Sequence, residues 1–277
     1  RNMLTGKGTI APMGSLANRE GRIVGDNLAG IPTTYKGWIG SFVMKAFERC
    51  IGATGLSLET ARAEGFNADA VITAQSDRAH FFPTQAVIPL RLVFDKTTRR
   101  VLGAQGFGPA NDAVLARIDA AAAIIANNGT IDDIGQLEMA YAPPFATALD
   151  ALNAAGNVAD NLTSGRLRYV SVEDFLGWMD DFNSHQDWLA LDIRHPNEAA
   201  TFVKKYQEKW LSVPYIEIRR RYQELPKGKT MLIICDAGTR SYEIQTFLDS
   251  VGYKNTLVLG GGFNIMRRLG VTWWPAS

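Results

Sequence analysis

The stretch Met231-Leu-Ile-Ile-Cys235-Asp-Ala-Gly-Thr-Arg240 decides how the last third of the chain is read. Four consecutive apolar residues form a short run that suits a strand buried on both faces. A thiol, Cys235, stands at its carboxyl end, and a glycine-containing loop, Asp236-Ala237-Gly238-Thr239-Arg240, follows before a helix expected over Ser241 to Leu248. In open α/β sheets ligands bind at such strand ends. Loop amides and the following helix N-terminus can converge there on an anion and stabilise a thiolate. Arg240 adds a cation with a forked donor. A cysteine at a strand end is also an ordinary small core residue, so the loop needs support from elsewhere in the sequence.

That support comes from Leu189-Ala-Leu-Asp-Ile-Arg-His-Pro-Asn-Glu198, an apolar strand ending in Asp192 and Arg194 and turning at Pro196 into a helix beginning at Glu198. Around these two segments the pattern is alternating: a helix capped by Ser171 and running through Met179, strands at Trp188–Ile193, Met231–Ile234 and Leu257–Leu259. It predicts a small doubly wound, mostly parallel sheet covered on both faces. Thr163-Ser164-Gly165 separates it from an Ala- and Asn-rich helical segment at Ala146 to Asn161, so a boundary is placed near residue 165.

Upstream the pattern is α+β. Strands are expected at Gly40–Phe47, Ala70–Ala74, Ile88–Phe94 and Arg100–Gly106, with a polar turn at Lys96 to Arg99. A short helix over Ser57–Glu64 and a longer one over Asn111–Ala126, ended by Asn127-Asn128-Gly129, complete it. Residues 1–30 read as a separate helical segment capped by Ser15, too short to be stable without packing on something. The expected division is thus 1–30, 31–164 and 165–277. With 277 residues, 46% of them hydrophobic, the chain can fill more than one core. Lys and Arg number 29 against 28 Asp and Glu, so charge gives no reason to expect nucleic acid or an anionic membrane as partner. No apolar stretch is long enough for a membrane span and no secretion signal opens the sequence, so a soluble, cytoplasmic protein is expected. Cys50 reads as a packing residue, His80 and His185 as structural or solvated, and no metal site is expected.

The spacing of Leu191-Asp-x-Arg-x-x-x-Glu198, Cys235-x4-Arg240 and Gly261-Gly262-Phe263 resembles the rhodanese family across the whole last domain. The resemblance implies that Cys235 is nucleophile and carrier of a sulfane sulfur held as a persulfide. The amides of Asp236, Ala237, Gly238 and Thr239 would cradle the terminal sulfur. Arg240 would supply charge, while Asp192 and Arg194 would brace the loop or act directly. Cysteine phosphatases, the nearest mechanistic rival, use a loop one residue longer, Cys-x5-Arg, sized for a tetrahedral phosphoryl group.

Leu137-Glu-Met-Ala-Tyr-Ala-Pro-Pro-Phe145, Gly14-Ser-Leu-Ala-Asn-Arg-Glu-Gly-Arg22 and Ala53-Thr-Gly-Leu56 resemble the C-terminal dimerisation domain of FAD-dependent pyridine nucleotide-disulfide oxidoreductases. Within that family the coenzyme A-disulfide and persulfide reductase branch is the nearest. The resemblance implies that residues 1–30 are the tail of a flavin domain, with Gly14, Ser15, Leu16 and Ala17 facing the flavin in the full-length family and Tyr141 reaching the partner's active site. It implies a homodimer acting on small-molecule thiols or persulfides. FAD and NAD(P)H belong to the parent enzyme, with coenzyme A a further candidate, and no cofactor is expected in this chain, which lacks a Gly-x-Gly-x-x-Gly fingerprint. Phe81 and Phe82 replace two phenols of the family's His-x-x-Tyr-Tyr-Pro-Gly motif, and Asn111-Asp112-Ala113 replaces a basic Asp-Lys-Arg, which argues for an altered thiol substrate. A rival expectation is a non-catalytic dimerising module that binds a thiol-bearing partner.

Overall fold

A computed structural model describes residues 1–269 of the 277. Two sheets organise the chain, and two compact units emerge: residues Arg1–Ala70 with Leu92–Ile134, and Val71–Arg91 with the residues from Gly135 onward. The chain leaves the first unit within one strand and re-enters it within the next, so the compact units do not coincide with a single cut near residue 165.

In the first unit α1 (Gly14–Leu28) precedes a hairpin of β1 (Phe42–Ala46) and β2 (Arg49–Gly55), then α2 (Leu58–Ala63). β3 (Ala68–Ser76) and β4 (Val87–Asp95), whose residues are divided between the two units, and β5 (Val101–Pro109) follow, giving the sheet order β1-β2-β5-β4-β3. α3 (Asp112–Ala126) and α4 (Ile131–Gly135) close this part. The expected strand Gly40–Phe47 is shorter at both ends, because Phe47 takes φ +51° in a tight turn, and the residues after it, including Cys50, form β2. Ser15 is not the cap of α1. The helix starts one residue earlier, behind Met13, with no side chain capping it. Ser57 and Asn111 do cap α2 and α3, their side chains accepting from Thr60 N and Ala113 N. The β4–β5 turn is held by Asp95, which accepts from Thr97 N at 2.9 Å, Thr98 N at 2.7 Å and Asn67 N at 3.1 Å.

In the second unit α5 (Ala151–Thr163) starts five residues later than expected, where Asp150 accepts from Leu152 N at 2.9 Å. Beyond it come β6 (Tyr169–Val170), α6 (Val172–Asp180), β7 (Trp188–Asp192), α7 (Pro196–Tyr206), β8 (Trp210–Ser212) and α8 (Tyr215–Arg221). β9 (Thr230–Ile234), α9 (Thr239–Ser250), β10 (Thr256–Leu259) and α10 (Gly262–Met266) complete the described chain. α7 begins at Pro196 rather than Glu198. His195 caps it, and proline suits a first helical position because no amide is lost there. The strands run parallel in the order β6-β10-β9-β7-β8.

Alternation along these strands builds two cores. Ala190, Leu232, Ile234 and Leu259 point to one side with Phe175, Trp178, Phe202, Trp210 and Phe263. Leu191, Ile193, Met231 and Ile233 point to the other, with Ile218, Ile244, Leu248 and Cys235. Successive apolar residues along a strand point to opposite faces, so these uninterrupted apolar runs bury the parallel sheet on both sides. Among the described residues no helix is long and apolar enough to cross a membrane, and no cluster of His, Cys, Asp and Glu could hold a metal ion.

Candidate active site

Cys235 follows the last residue of β9 directly and is almost wholly buried. The chain then turns through Asp236 and Ala237 to Gly238, whose φ of +91° reverses it into α9. A residue with a Cβ pays a steric penalty at such a φ. The consequence is chemical: Gly238 N–H points back and donates to Cys235 Sγ at 3.1 Å. The sulfur therefore sits at the N-terminus of a twelve-residue helix, where amides and the helix dipole favour negative charge.

The loop is anchored from below by a second glycine turn. Phe263 N donates to Cys235 O and Asn264 N to Asp236 O, both at 2.8 Å. The turn can come this close because Gly262, at φ +58°, has no side chain. A Cβ there would stand 2.5 Å from Cys235 O and 2.7 Å from Asp236 O.

Asp192 and Arg194 belong to the support rather than to the sulfur. Both are buried, and Arg194 is paired bidentately with Asp192, Nε to Oδ1 at 3.0 Å and Nη2 to Oδ2 at 2.6 Å. Trp210 Nε1 donates to Asp192 Oδ2 at 3.2 Å. The guanidinium carbon of Arg194 lies 3.4 Å from the centroid of the Phe263 ring, the residue whose amide holds Cys235 O. Asp192 is also in register with Ile234, and Ile193 N donates to Ile234 O at 2.9 Å. The pair thus fixes the loop from the neighbouring strand and from the ring beneath it.

Arg240 turns outward to Asp236, with which it forms an ion pair on the loop rim. Arg267 lies 3.6 Å from the other oxygen of Asp236 and 3.2 Å from Glu198. Ala237, Gly238 and Thr239 line a cavity of about 550 Å³, together with Ile72, Thr73, Gln75, Tyr141 and Tyr242 among others. Tyr141 is exposed, as are Gly14, Ser15 and Ala17, whereas Leu16 is buried. The sequence-expected residues Cys235, Asp236 to Arg240, Asp192 and Arg194 therefore gather around one loop. Gly14 to Ala17 lie in the other compact unit. Two polar side chains went unremarked in the sequence: Thr73, which lines the cavity, and Ser241 in the first turn of α9. Both hydroxyls are buried and without a hydrogen-bond partner. Neither stands in a motif, and only tertiary placement singles them out. His185 stacks on Trp188 at 3.9 Å, His195 caps α7, and His80 is exposed.

The buried thiol of Cys50 is pushed up from its ordinary pKa by loss of solvation, which holds it as the unreactive thiol.

Flavin is implied by the family resemblance, but the residues present do not enclose one. α1 offers a single helix start whose first turn is exposed except for Leu16, with no glycine-rich cradle in the chain.

Comparison with known proteins agrees with this arrangement. Residues 44–152 match the pyridine nucleotide-disulphide oxidoreductase dimerisation domain, and residues 171–266 match the rhodanese-like domain. A CoA-dependent NAD(P)H sulfur oxidoreductase from Pyrococcus abyssi is 36% identical over 152 residues, which are 55% of this chain and 33% of that protein. The solved NAD-dependent persulfide reductase from A. fulgidus is 33% identical with a TM-score of 0.84, covering 95% of this chain and 45% of its own. The reduced Bacillus anthracis CoADR-RHD structure is 29% identical with a TM-score of 0.83, covering 96% and 46%. The chain thus spans about a third of the length of that curated relative and under half of the two solved chains. It is a pyridine nucleotide-disulphide oxidoreductase dimerisation domain followed by a rhodanese-like domain, corresponding to the C-terminal part of the coenzyme A-disulfide and persulfide reductases.

Proposed function

We propose that the rhodanese-like domain is a working sulfurtransferase that carries sulfane sulfur on Cys235. The observation that carries this reading is the 3.1 Å hydrogen bond from Gly238 N–H to Cys235 Sγ at the N-terminus of α9. A merely structural buried cysteine has no need of an amide aimed at its sulfur. The Cys235 thiolate attacks the sulfane sulfur of a donor, forming a new S–S bond while the donor's own bond to that sulfur breaks and its electron pair leaves with the donor fragment. The persulfide places its reactive atom about 2 Å beyond Sγ, one S–S bond length. An acceptor thiolate then attacks this outer sulfur, and the electron pair of the Cys235 S–S bond returns to Sγ. Asp192 and Arg194 hold the loop during both steps, and Arg240 offsets Asp236 at its rim.

In the whole enzyme the reading makes this domain the sulfur-accepting end of an FAD- and NAD(P)H-dependent reductase of coenzyme A disulfides or persulfides, paired into a homodimer through the first domain.

Incubating the chain with thiosulfate or cysteine persulfide is expected to add the mass of one sulfur atom to the peptide containing Cys235. Cys235→Ser is expected to abolish both this adduct and transfer to cyanide, while Cys50→Ser preserves both. Full transfer activity in Cys235→Ser would overturn the proposal.

A further inference from the structure

The end of β9 remote from Cys235 opens on a second cavity, of about 670 Å³, that the sulfur chemistry does not use. Two loops shape it: Lys227-Gly228-Lys229, which leads into β9, and Gly252 to Asn255, which leads into β10. Met231, on its floor, is four residues before Cys235, about 13 Å along the strand. Lys227, Lys229 and Lys254 line the cavity, and no Asp or Glu does. None of these lysines forms an ion pair among the described residues. Lys229 donates to Gln186 O at 3.2 Å and Lys254 to Asp249 O at 2.9 Å, both backbone oxygens, and Lys227 has no partner. Gln186 O also accepts from Lys209 Nζ at 3.0 Å, so two ammoniums crowd one carbonyl. The carboxylates nearest in sequence are engaged elsewhere: Asp249 by Arg168, Glu224 by Arg221, and Asp187 by the Thr230 hydroxyl.

Like charges gathered without a counter-charge repel one another, and a multivalent anion placed among them turns that repulsion into attraction. We propose that this cavity is a binding site for a small molecule carrying a diphosphate group. The charges stand on two separate loops, so a single carboxylate cannot engage them all, whereas a diphosphate offers two charged centres. Lysine ammonium is a point-charge partner for phosphate. The backbone supplies further donors: among the described residues no group accepts from the N–H of Lys227, Gly228, Lys229, Lys254 or Asn255. Successive free amides of this kind suit phosphate oxygens. The cavity is also larger than a diphosphate, and half-buried Tyr222 lines it with the side-chain amides of Gln223 and Asn255. A ring and two amides are what the base of a nucleoside diphosphate would use, while inorganic pyrophosphate would use the lysines alone. The site does not depend on the sulfurtransferase reading of Cys235.

The test is calorimetric titration of the full chain with pyrophosphate, ADP and AMP. Pyrophosphate and ADP are expected to saturate one site per chain, and AMP to bind about fivefold more weakly, the upper range for one exposed ion pair. All three should bind less tightly as salt is raised, because the field of exposed charges is screened. Lys227→Gln and Lys229→Gln should each weaken pyrophosphate and ADP about 3–5-fold, and the double variant about tenfold or more. Both side chains are exposed, so the fold is not at stake. The control, Lys204→Gln with Lys205→Gln, changes two lysines that do not line the cavity and should bind as the parent does. ADP binding tighter than pyrophosphate, with the difference lost in Tyr222→Leu while pyrophosphate still binds, assigns the site to a nucleotide. Pyrophosphate binding as tightly as ADP, or more so, assigns it to free diphosphate. No saturable binding of either, AMP binding as well as ADP, an unchanged affinity in the Lys227 and Lys229 double variant, or an equal loss in the control would overturn the proposal.

Discussion

Neutralising Asp192 separates bracing from chemistry. In Asp192→Asn the shape is kept, but Arg194, only 2% exposed, loses the carboxylate that engages it through two side-chain hydrogen bonds. Breaking one side of a buried pair costs about 3–5 kcal/mol, because the remaining charge stays desolvated. With a urea m-value of about 2 kcal/mol/M for a domain of this size, the midpoint of unfolding should fall by about 1.5–2.5 M. Trp178, Trp188 and Trp210 lie in or against the affected core and report the transition by fluorescence. Replacing both partners, Asp192→Asn with Arg194→Met, should recover much of the loss, since a hydrophobic substitute for a buried pair is often neutral or stabilising. The coupling energy of the cycle should exceed about 1 kcal/mol. Transfer to cyanide should fall in the single variant and rise again in the double one, because what matters is where Phe263 holds Cys235 O. Were Asp192→Asn to leave the urea midpoint within about 0.3 M of the parent while abolishing transfer, the bracing argument would be wrong and a direct chemical role would replace it.

Gly262→Ala should damage the loop without unfolding the domain: its Cβ meets Cys235 O at 2.5 Å and takes φ +58°, costing at least about 1–2 kcal/mol. Its kcat is expected to drop about tenfold, and a variant with parental kcat would show that the turn does not set the loop. Arg240→Ala should slow sulfur transfer less than about tenfold and leave the persulfide adduct on Cys235 detectable by mass spectrometry; loss of the adduct would give Arg240 a larger part. Acid should weaken the first unit. The Arg99 guanidinium beside Asp132 holds its carboxyl below the usual range. For Asp95, burial acts upward but the bonds from Thr98, Thr97 and Asn67 outweigh it, so its pKa is lowered too. A depressed folded pKa gives stability that is complete above the unfolded value of about 3.9 and lost as pH falls through the folded one. Thermal melts below pH 4 should accordingly drop less steeply in Asp95→Asn than in the parent, starting from a lower value.

What the sequence disclosed depended on how local each signal is. β9 is four apolar residues in a row followed by a thiol, and the loop after it contains its own glycine, so strand, nucleophile and turn are all local. The cap at Ser171 is equally local and forms as expected, and Ser57 and Asn111, read only as the starts of their helices, cap α2 and α3. β2 was not set apart as a strand, and it carries two glycines, Gly52 and Gly55, which have low strand preference. Gly52 is there because α3 packs against it: a Cβ would stand 2.9 Å from Ile118 and 3.2 Å from Val114. β8 is three residues long at a sheet edge, below what periodicity can resolve. The stacking of Arg194 on Phe263 joins residues about seventy positions apart, and no spacing rule reaches that far. Thr73 is the extreme case, an ordinary strand threonine whose buried hydroxyl without a partner no local pattern announces.

The rim of the loop explains why fixed amides, rather than side-chain charge, act on the sulfur. Arg240 is paired with Asp236, and Arg267 lies against Asp236 and Glu198, so two cations meet two carboxylates there. These side chains are about 29–44% exposed, and water and salt screen what field remains. Gly238 N–H is different in kind: it is held by the backbone, it lies beside the sulfur of a cysteine that is 1% exposed, and it requires no reorganisation when negative charge develops. A preorganised dipole in a buried site outweighs a compensated charge at its edge. The same balance bears on the choice of sulfur donor. A rim whose two cations each lie against a carboxylate gives a dianion no electrostatic advantage in reaching Cys235.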